Sequence, residues 1–142
     1  MTYLVDGYNV IKTTSFASLE LELAREHLVA FCQAFRPSEV IVVFDGPRPN
    51  RQRHGNVLVV YAPSADRWII DYVRKARNPR QITVVTEDRQ IRGAVGAEGA
   101  RVMSPREFVR GPKRRARGPV GLDERTKAQI NEELKKLWGI ET

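Results

Sequence analysis

Four aspartates stand where their side chains could meet for chemistry. Asp6 and Asp45 each follow a short apolar run, and Asp88 comes two residues after another such run. Asp66 lies in the first turn of a predicted helix whose N-cap is Ser64, on the face turned toward the sheet. Because the carboxyl ends of parallel strands meet at one edge of a sheet, we expect all four carboxylates to gather there.

An acidic cluster of this kind predicts a hard metal ion. Carboxylates that lie close together repel and raise one another's pKa, and a divalent cation removes that cost. An all-oxygen donor set suits Mg²⁺ or Mn²⁺, which can activate water and neutralise charge on a phosphoryl oxygen. With one Cys in the chain, a Cys-based zinc cluster is excluded. The predicted metal ligands are Asp6, Asp45, Asp66 and Asp88.

Each of these residues also has a structural explanation. An Asp-Gly pair after a strand is common turn chemistry, and an acid in a first helical turn complements the helix dipole. Asn9 closes the turn after Gly7 or, as a fifth catalytic residue, orients Asp6 or the attacking water. Thr86 is expected to cap the helix that follows it and, secondarily, to present a hydroxyl near the metal.

The elements that position these residues alternate between strand-like and helical runs. Apolar runs at 3–5, 40–44, 57–61 and 82–85, and a short one near 100–103, predict strands buried in a parallel sheet. Helices are predicted over 18–35, 64–77 and 88–95, after a capping box at 104–107, and near 123–138. The alternation predicts an α/β fold with helices on both faces of the sheet. A turn is expected at 6–7 and a polar, basic loop at 47–56.

Basic residues are concentrated outside the first third of the chain. The 142 residues contain 24 Lys and Arg against 17 Asp and Glu, a net charge of +7, yet residues 1–46 hold six acids and only three bases. A basic balance of this kind favours a polyanionic partner, most often nucleic acid. A Gly/Pro/Arg linker at 110–121 predicts a domain at 1–109 and a basic extension at 110–142. In the loop after Asp45, Arg48, Arg51 and Arg53 are expected to flank the acids and to contact nucleic-acid phosphates. A basic arm is predicted to make further contacts through Lys113, Arg114, Arg115 and Arg117.

Composition excludes several classes of protein. Hydrophobic residues make up 42% and charged residues 29% of the chain, which fits a folded domain rather than wholesale disorder. No apolar run approaches the roughly 18–20 residues needed to cross a bilayer, and no secretory signal is present. We therefore expect a cytoplasmic protein without a membrane partner; the sequence does not indicate its oligomeric state. Trp68 and Trp138 are expected to pack rather than to stack on bases, for which Tyr8 is the better candidate.

Five segments resemble the YacP-like branch of the NYN domain family, within the wider PIN-like nucleases. The resemblance extends over residues 2–109, and the tail beyond 110 lies outside it. The segments that carry it, in chain order, are YLVDGYNVI (3–11), IVVFDG (41–46), SADRWI (64–69), VVTEDRQI (84–91) and GARVMSPREFV (99–109).

The resemblance implies a PIN-like, three-layer α/β sandwich and a divalent-metal endoribonuclease whose products carry 5′-phosphate and 3′-hydroxyl ends. It also implies metal ligation by Asp6, Asp45, Asp66 and Asp88, with Asn9 as a further site residue. Messenger RNA or ribosome-associated RNA is the expected substrate, and the ribosome is a further expected partner. Two departures stand out: Arg67 occupies a position where the family often has another acid, and Glu87 could compete with Asp88 as a ligand.

Three other functions compete with the nuclease. A catalytically silent RNA-binding module with the same fold stays open as an alternative. A haloacid-dehalogenase-like phosphatase requires an Asp two residues after the strand-end Asp, where this chain has Tyr8 and Pro47. A metal-free ribonuclease with two catalytic histidines would have only His27 and His54, and nothing in the sequence brings them together.

Overall fold

A six-stranded sheet forms the centre of the protein in the computed structural model, which describes residues 1–112. Its strands are β1 (Thr2–Asp6), β2 (Glu39–Asp45), β3 (Asn50–His54), β4 (Val57–Ala62), β5 (Ile82–Val85) and β6 (Arg101–Met103). They lie in the order β3-β4-β2-β1-β5-β6. All neighbouring strands are parallel except β3 and β4, which pair antiparallel. The first strand is therefore central, and the carboxyl ends of β2, β1 and β5 lie side by side.

Helices cover both faces of this sheet. They are α1 (Gly7–Thr13), α2 (Leu21–Cys32), α3 (Ala65–Lys75), α4 (Arg89–Ala97) and α5 (Pro105–Phe108), with 3₁₀ turns at Ser15–Ser18, Gln33–Phe35 and Pro79–Gln81. Within residues 1–112, no helix combines the length and the apolar content needed to span a membrane. The predicted linker at 110–121 and helix near 123–138 fall, beyond residue 112, outside the described part of the chain.

Side chains that alternate along the buried strands divide the core into two layers. In β2, Val42 and Phe44 pack with α1, α2 and α5, whereas Ile41 and Val43 pack with α3 and α4. Strands of this kind read as unbroken apolar runs because both of their faces are buried. The predicted three-layer, mostly parallel α/β sandwich is confirmed.

Two expectations at the sheet edges were wrong. Residues 50–54 form strand β3 rather than a loop; all five are exposed, so no apolar alternation marked the strand. Residues 7–13 form helix α1 rather than only a turn. The Asp6-Gly7 pair is the direct junction between β1 and this helix. The helix predicted over 18–35 is split into α2 and flanking 3₁₀ turns.

Gly7 explains how α1 can follow β1 so closely. A Cβ atom at this position would lie 2.3 Å from Cε1 of Phe44, a buried residue of β2. Since real Cβ contacts do not approach that distance, any larger residue would force either α1 or the buried Phe44 ring to shift. The glycine after Asp6 is therefore a packing requirement, and it fixes where the last residue of β1 stands.

Candidate active site

The carboxyl edge of the sheet brings the predicted acidic residues into one neighbourhood. Asp6 is the last residue of β1 and Asp45 the last of β2, two adjacent parallel strands. Asp88 follows β5, the strand on the other side of β1, and Asp66 is the second residue of α3. The four carboxylates are near enough to interact electrostatically, and the charges of the other three all act on Asp6.

Asp6 is the buried member of this group. Its side chain is 7% exposed, and Oδ2 accepts a hydrogen bond of 2.9 Å from the hydroxyl of Thr86. Burial, followed by repulsion from Asp66, Asp45 and Asp88, raises the pKa of Asp6 to about 6, although the Thr86 hydrogen bond opposes the rise. A negative charge at Asp6 is therefore costly until something positive lies beside it.

Asp45 and Asp66 are joined through the start of α3. The backbone N–H of Ala65 donates a 2.8 Å hydrogen bond to Oδ1 of Asp45, which ties the end of β2 to the first helical residue. Ser64 caps the helix, as predicted, by accepting from the N–H of Arg67. Partial desolvation, followed by the charges of Asp88 and Asp45, raises the pKa of Asp66. Both carboxylates are exposed to solvent at the rim of the site.

Thr86 links Asp6 to Asp88. Its Oγ1 donates to Asp6 and also accepts a 3.0 Å hydrogen bond from the N–H of Asp88. Oδ1 of Asp88 in turn accepts from the N–H groups of Gln90 and Ile91, at 2.9 and 3.1 Å. Asp88 is thus the N-cap of α4, and the expectation that Thr86 is the cap was wrong; the buried Thr86 hydroxyl bonds to the site instead.

Asn9 acts on the loop after β5. Its Oδ1 accepts a 2.8 Å hydrogen bond from the N–H of Glu87, the residue before Asp88. The side chain therefore neither closes the turn after Gly7 nor bonds to Asp6; it ties α1 to the segment that carries Asp88. No sequence pattern indicated this contact, since the two residues are 78 positions apart.

Arg92 is a site residue that the sequence did not indicate. Its guanidinium donates a 2.9 Å hydrogen bond to the carbonyl of Thr86 and lies 3.6 Å from the carboxylate of Glu87. The Glu87 side chain is thereby paired with a cation, which leaves Asp88 as the better donor for a metal. Arg92 looks like any other cation of α4 in the sequence, because its partners are set by the path of the loop.

The donor chemistry of these residues fits a hard divalent cation. All four candidates are carboxylates, and within residues 1–112 the second oxygens of Asp6, Asp45 and Asp88 accept no protein hydrogen bond. Over the same residues, no three His, Cys, Asp or Glu side chains converge on a common point as a finished metal cage. The carboxylates repel one another, and a divalent cation bound among them would offset that repulsion.

The three described arginines that were predicted to contact RNA lie on the outermost strand, β3, or just before it. Arg48 follows Asp45 by three residues, and Arg51 lies on β3, opposite Val60. Arg53 lies near the amino ends of the parallel strands, away from the acids, and forms a 2.9 Å ion pair with Glu39 at the start of β2. The expectation that all three flank the acids was therefore wrong for Arg53, because β3 runs antiparallel to β4. Outside the described residues lie Lys113, Arg114, Arg115 and Arg117.

Tyr8, the predicted stacking residue, is held against the protein. Its hydroxyl accepts a 2.9 Å hydrogen bond from Arg25, and its ring packs on Phe44 with a centroid separation of 4.8 Å. The ring is half-buried. Tyr8 thus helps to join α1, α2 and β2 behind the acidic residues.

Comparisons with known proteins agree with this architecture. A family model described as YacP-like NYN domain matches residues 3–138, past the last motif noted in the sequence at 109. The solved structure of Rae1 (YacP) from Bacillus subtilis has a TM-score of 0.65 and 26% sequence identity, covering 98% of this chain and 82% of that one. A mutant form of that protein gives a TM-score of 0.62 and 30% identity over 77% of this chain and 72% of that one. No curated protein matches the sequence.

Proposed function

The chain belongs to the YacP-like NYN domain family, with its PIN-like nuclease fold, and from this premise we propose that it is a divalent-metal-dependent endoribonuclease. The proposal rests above all on Asp6. A buried carboxylate whose pKa is raised to about 6, by burial and by three neighbouring aspartates, has a strong electrostatic need for a cation. Perturbed acids of this kind concentrate at functional sites.

The residues of this edge have complementary roles in the proposal. Asp6, Asp45, Asp66 and Asp88 would hold Mg²⁺ or Mn²⁺, and Asn9 is a positioning residue that keeps Asp88 in place through Glu87. When bound, the cation supplies charge neutralisation at the scissile phosphate and lowers the pKa of a neighbouring water. Thr86 holds Asp6 in one orientation and favours its ionised form through the hydrogen bond to Oδ2.

Basic side chains would hold the RNA backbone beside the acids. Arg48 follows Asp45 closely in the chain, and the net charge of +7 favours association with a polyanion. Arg51 lies further along the edge strand. The substrate as messenger or ribosome-associated RNA, the ribosome as partner and the cytoplasmic location stay predictions, as does the division of the chain at 109/110.

A cleavage assay tests this function directly. The full-length protein is incubated with a mixed RNA pool and Mg²⁺ or Mn²⁺, with and without EDTA, and the product ends are identified. We expect metal-dependent internal cleavage that leaves 5′-phosphate and 3′-hydroxyl ends, and no cleavage by the Asp6→Asn variant. The matched control is Glu98→Gln, which removes one exposed negative charge at the C-terminal end of α4, away from the acidic residues.

Two other outcomes would replace the proposal. Binding of RNA without cleavage in any metal would favour the catalytically silent RNA-binding module. Cleavage that persists in EDTA and leaves cyclic phosphates would indicate a metal-free mechanism, in which the four aspartates have no catalytic part.

A further inference from the structure

A second cleft lies on the flank of α3 that faces the edge strand. It has a volume of about 270 Å³ and is lined by Arg51 of β3 and by Trp68, Asp71, Tyr72 and Lys75 of α3. None of these five residues belongs to the acidic site. Two aromatic rings and two cations in one cleft suit a ligand with both flat apolar faces and negative charge.

The aromatic rings form a fixed surface. Trp68 and Tyr72 are four residues apart on α3, and their rings stack at a centroid distance of 5.4 Å with an angle of 18°. Both are half-buried, since their inner atoms pack against the core formed with α3 and α4. A ring pair anchored in this way loses little conformational entropy when a further flat group packs on it. Aromatic side chains are the usual platform on which unpaired bases stack.

The charge of the cleft favours phosphate. Arg51 and Lys75 are exposed, and neither forms an ion pair with any residue in 1–112, so both positive charges are available against the single carboxylate of Asp71. The larger groove beside α2, about 400 Å³, has the opposite balance, because exposed Glu22 and Glu26 line it against the single cation of Arg25. The charge balance therefore favours a polyanion in the cleft on α3 over that groove.

The cleft and the acidic site share one helix. At 1.5 Å of rise per residue, Trp68 lies about 3 Å and Tyr72 about 9 Å along the α3 axis from Asp66. Asp66 is at the helix start, where it faces the other carboxylates. At 100° per residue, however, Trp68 is about 200° around the helix from Asp66, so the cleft and Asp66 lie on different sides of α3. The cleft still opens near the carboxyl edge of the sheet, because Arg51 pairs with Val60, two residues before the end of β4.

We propose that this cleft binds a single-stranded segment of the RNA substrate outside the acidic site. Bases pack against Trp68 and Tyr72, and the phosphates between them lie against Arg51 and Lys75. The inference rests on the proposed ribonuclease function for its choice of RNA. It also reverses the expectation that Trp68 only packs, and it assigns a role to Lys75, which would otherwise merely complement the C-terminal end of the helix.

Binding measurements on a cleavage-deficient protein test this cleft. The full-length Asp6→Asn protein is titrated into a labelled single-stranded oligoribonucleotide about 10 nucleotides long, within the site sizes usual for stacking platforms. Tyr72→Leu should weaken binding about tenfold, the loss expected when one stacked base loses its ring. Tyr72→Phe keeps the ring and should bind like the parent. A perfectly paired RNA duplex should show no dependence on Tyr72, because its bases are already stacked.

Charge-matched variants separate the cleft from general electrostatics. Arg51→Gln and Lys75→Gln should each weaken binding and lower the slope of log affinity against log salt by about 0.7, the value for one phosphate contact on a single strand. Arg36→Gln is the control, since Arg36 is equally exposed but lies beside the 3₁₀ turn after α2 and bonds only to the carbonyl of Gln33. It should change the slope less than either cleft variant.

Tryptophan fluorescence supplies a readout independent of affinity. In a Trp138→Phe background Trp68 is the only tryptophan, and its emission should be quenched when RNA binds. The cleft proposal is overturned if Tyr72→Leu remains folded by circular dichroism yet binds normally, if Arg51→Gln loses no more than Arg36→Gln, or if the single strand does not bind at all. If the unsubstituted protein cleaves RNA but the cleft substitutions leave RNA affinity unchanged, this inference alone is overturned. Cleft-dependent binding without cleavage would overturn the nuclease function alone.

Discussion

The hydroxyl of Thr86 donates a 2.9 Å hydrogen bond to Oδ2 of Asp6, a residue 80 positions earlier in the chain. Both side chains are buried, and each stands just where a strand ends, β1 for Asp6 and β5 for Thr86. The same hydroxyl accepts from the N–H of Asp88. One threonine thus sets the orientation of the most buried carboxylate and the position of a second one, and several tests follow from this arrangement.

The ionised Asp6 carboxylate is expected to lower the free energy of unfolding at neutral pH. Because its folded pKa is about 6 against an ordinary value of 3.8, the folded protein holds a proton that the unfolded chain releases between these values. Stability therefore falls as pH rises through that window, by about 3 kcal/mol in total. Asp6→Asn should be more stable than the parent by up to that amount at pH 7, and the difference should vanish near pH 3, below the unfolded pKa. Urea unfolding of both proteins at the two pH values measures the difference in free energy of unfolding. An equal difference at both pH values would contradict the raised pKa of Asp6.

A bound cation should remove the same penalty. At pH 7, Mg²⁺ or Mn²⁺ is expected to raise the melting temperature of the protein and EDTA to reverse the rise, because a ligand specific to the folded state adds about 2.7 kcal/mol at a hundred times its Kd. The Asp6→Asn protein should show little or no shift. Ca²⁺ and matched ionic strength in NaCl are the controls, and a shift that NaCl reproduces would indicate screening rather than a site.

Removal of the Thr86 hydroxyl should make Asp6 harder to ionise. The hydrogen bond from Thr86 lowers the pKa of Asp6, so Thr86→Val should move that pKa further above 6. The acidic limb of the pH profile of cleavage should shift toward higher pH, and metal affinity at pH 7 should fall. Thr86→Ser keeps the hydroxyl and should restore the parent profile. A Thr86→Val profile equal to that of the parent would show that the hydroxyl does not act on Asp6.

Loss of the Asn9 side chain should loosen the loop before Asp88. Asn9→Ala removes the acceptor for the Glu87 N–H, a neutral hydrogen bond with a net worth of about 1 kcal/mol. Hydrogen exchange at the Glu87 amide should become faster, and cleavage should slow more than RNA binding weakens. Asn9→Asp retains an acceptor and should keep that amide protected. An unchanged exchange rate in Asn9→Ala would mean that α1 does not hold the loop.

Gly7 and Gly93 should respond to alanine in opposite directions. The added Cβ at Gly7 would meet Phe44 at 2.3 Å, so Gly7→Ala should destabilise the protein by about 1–3 kcal/mol through overpacking and should displace Asp6. At Gly93, within α4, a Cβ meets nothing within 4 Å. Gly93→Ala should therefore stabilise by up to about 1 kcal/mol through helix propensity. Thermal unfolding of the two variants side by side measures both effects.

Much of the fold followed from local pattern. Strands β1, β2, β4 and β5 could be predicted because runs buried on both faces contain little except apolar, β-branched residues. Asp6, Asp45 and Asp88 could be proposed as neighbours because parallel strands share one carboxyl edge. Strand β3 could not be predicted, since its exposed, polar residues form a strand only by pairing with β4. Helix α1 was hidden by an Asp-Gly pair that usually indicates a turn.

The sequence by itself determined the layered α/β architecture and the identity of the acidic residues, because burial patterns and strand ends are properties of neighbouring residues. Only the tertiary structure decided what those residues touch. The Thr86–Asp6 bond, the Asn9–Glu87 bond and the meeting of Arg51 with Trp68 and Tyr72 all join segments far apart in the chain. Such contacts depend on which strands become neighbours and on their register, and these are set by packing of the whole core rather than by any local run of residues.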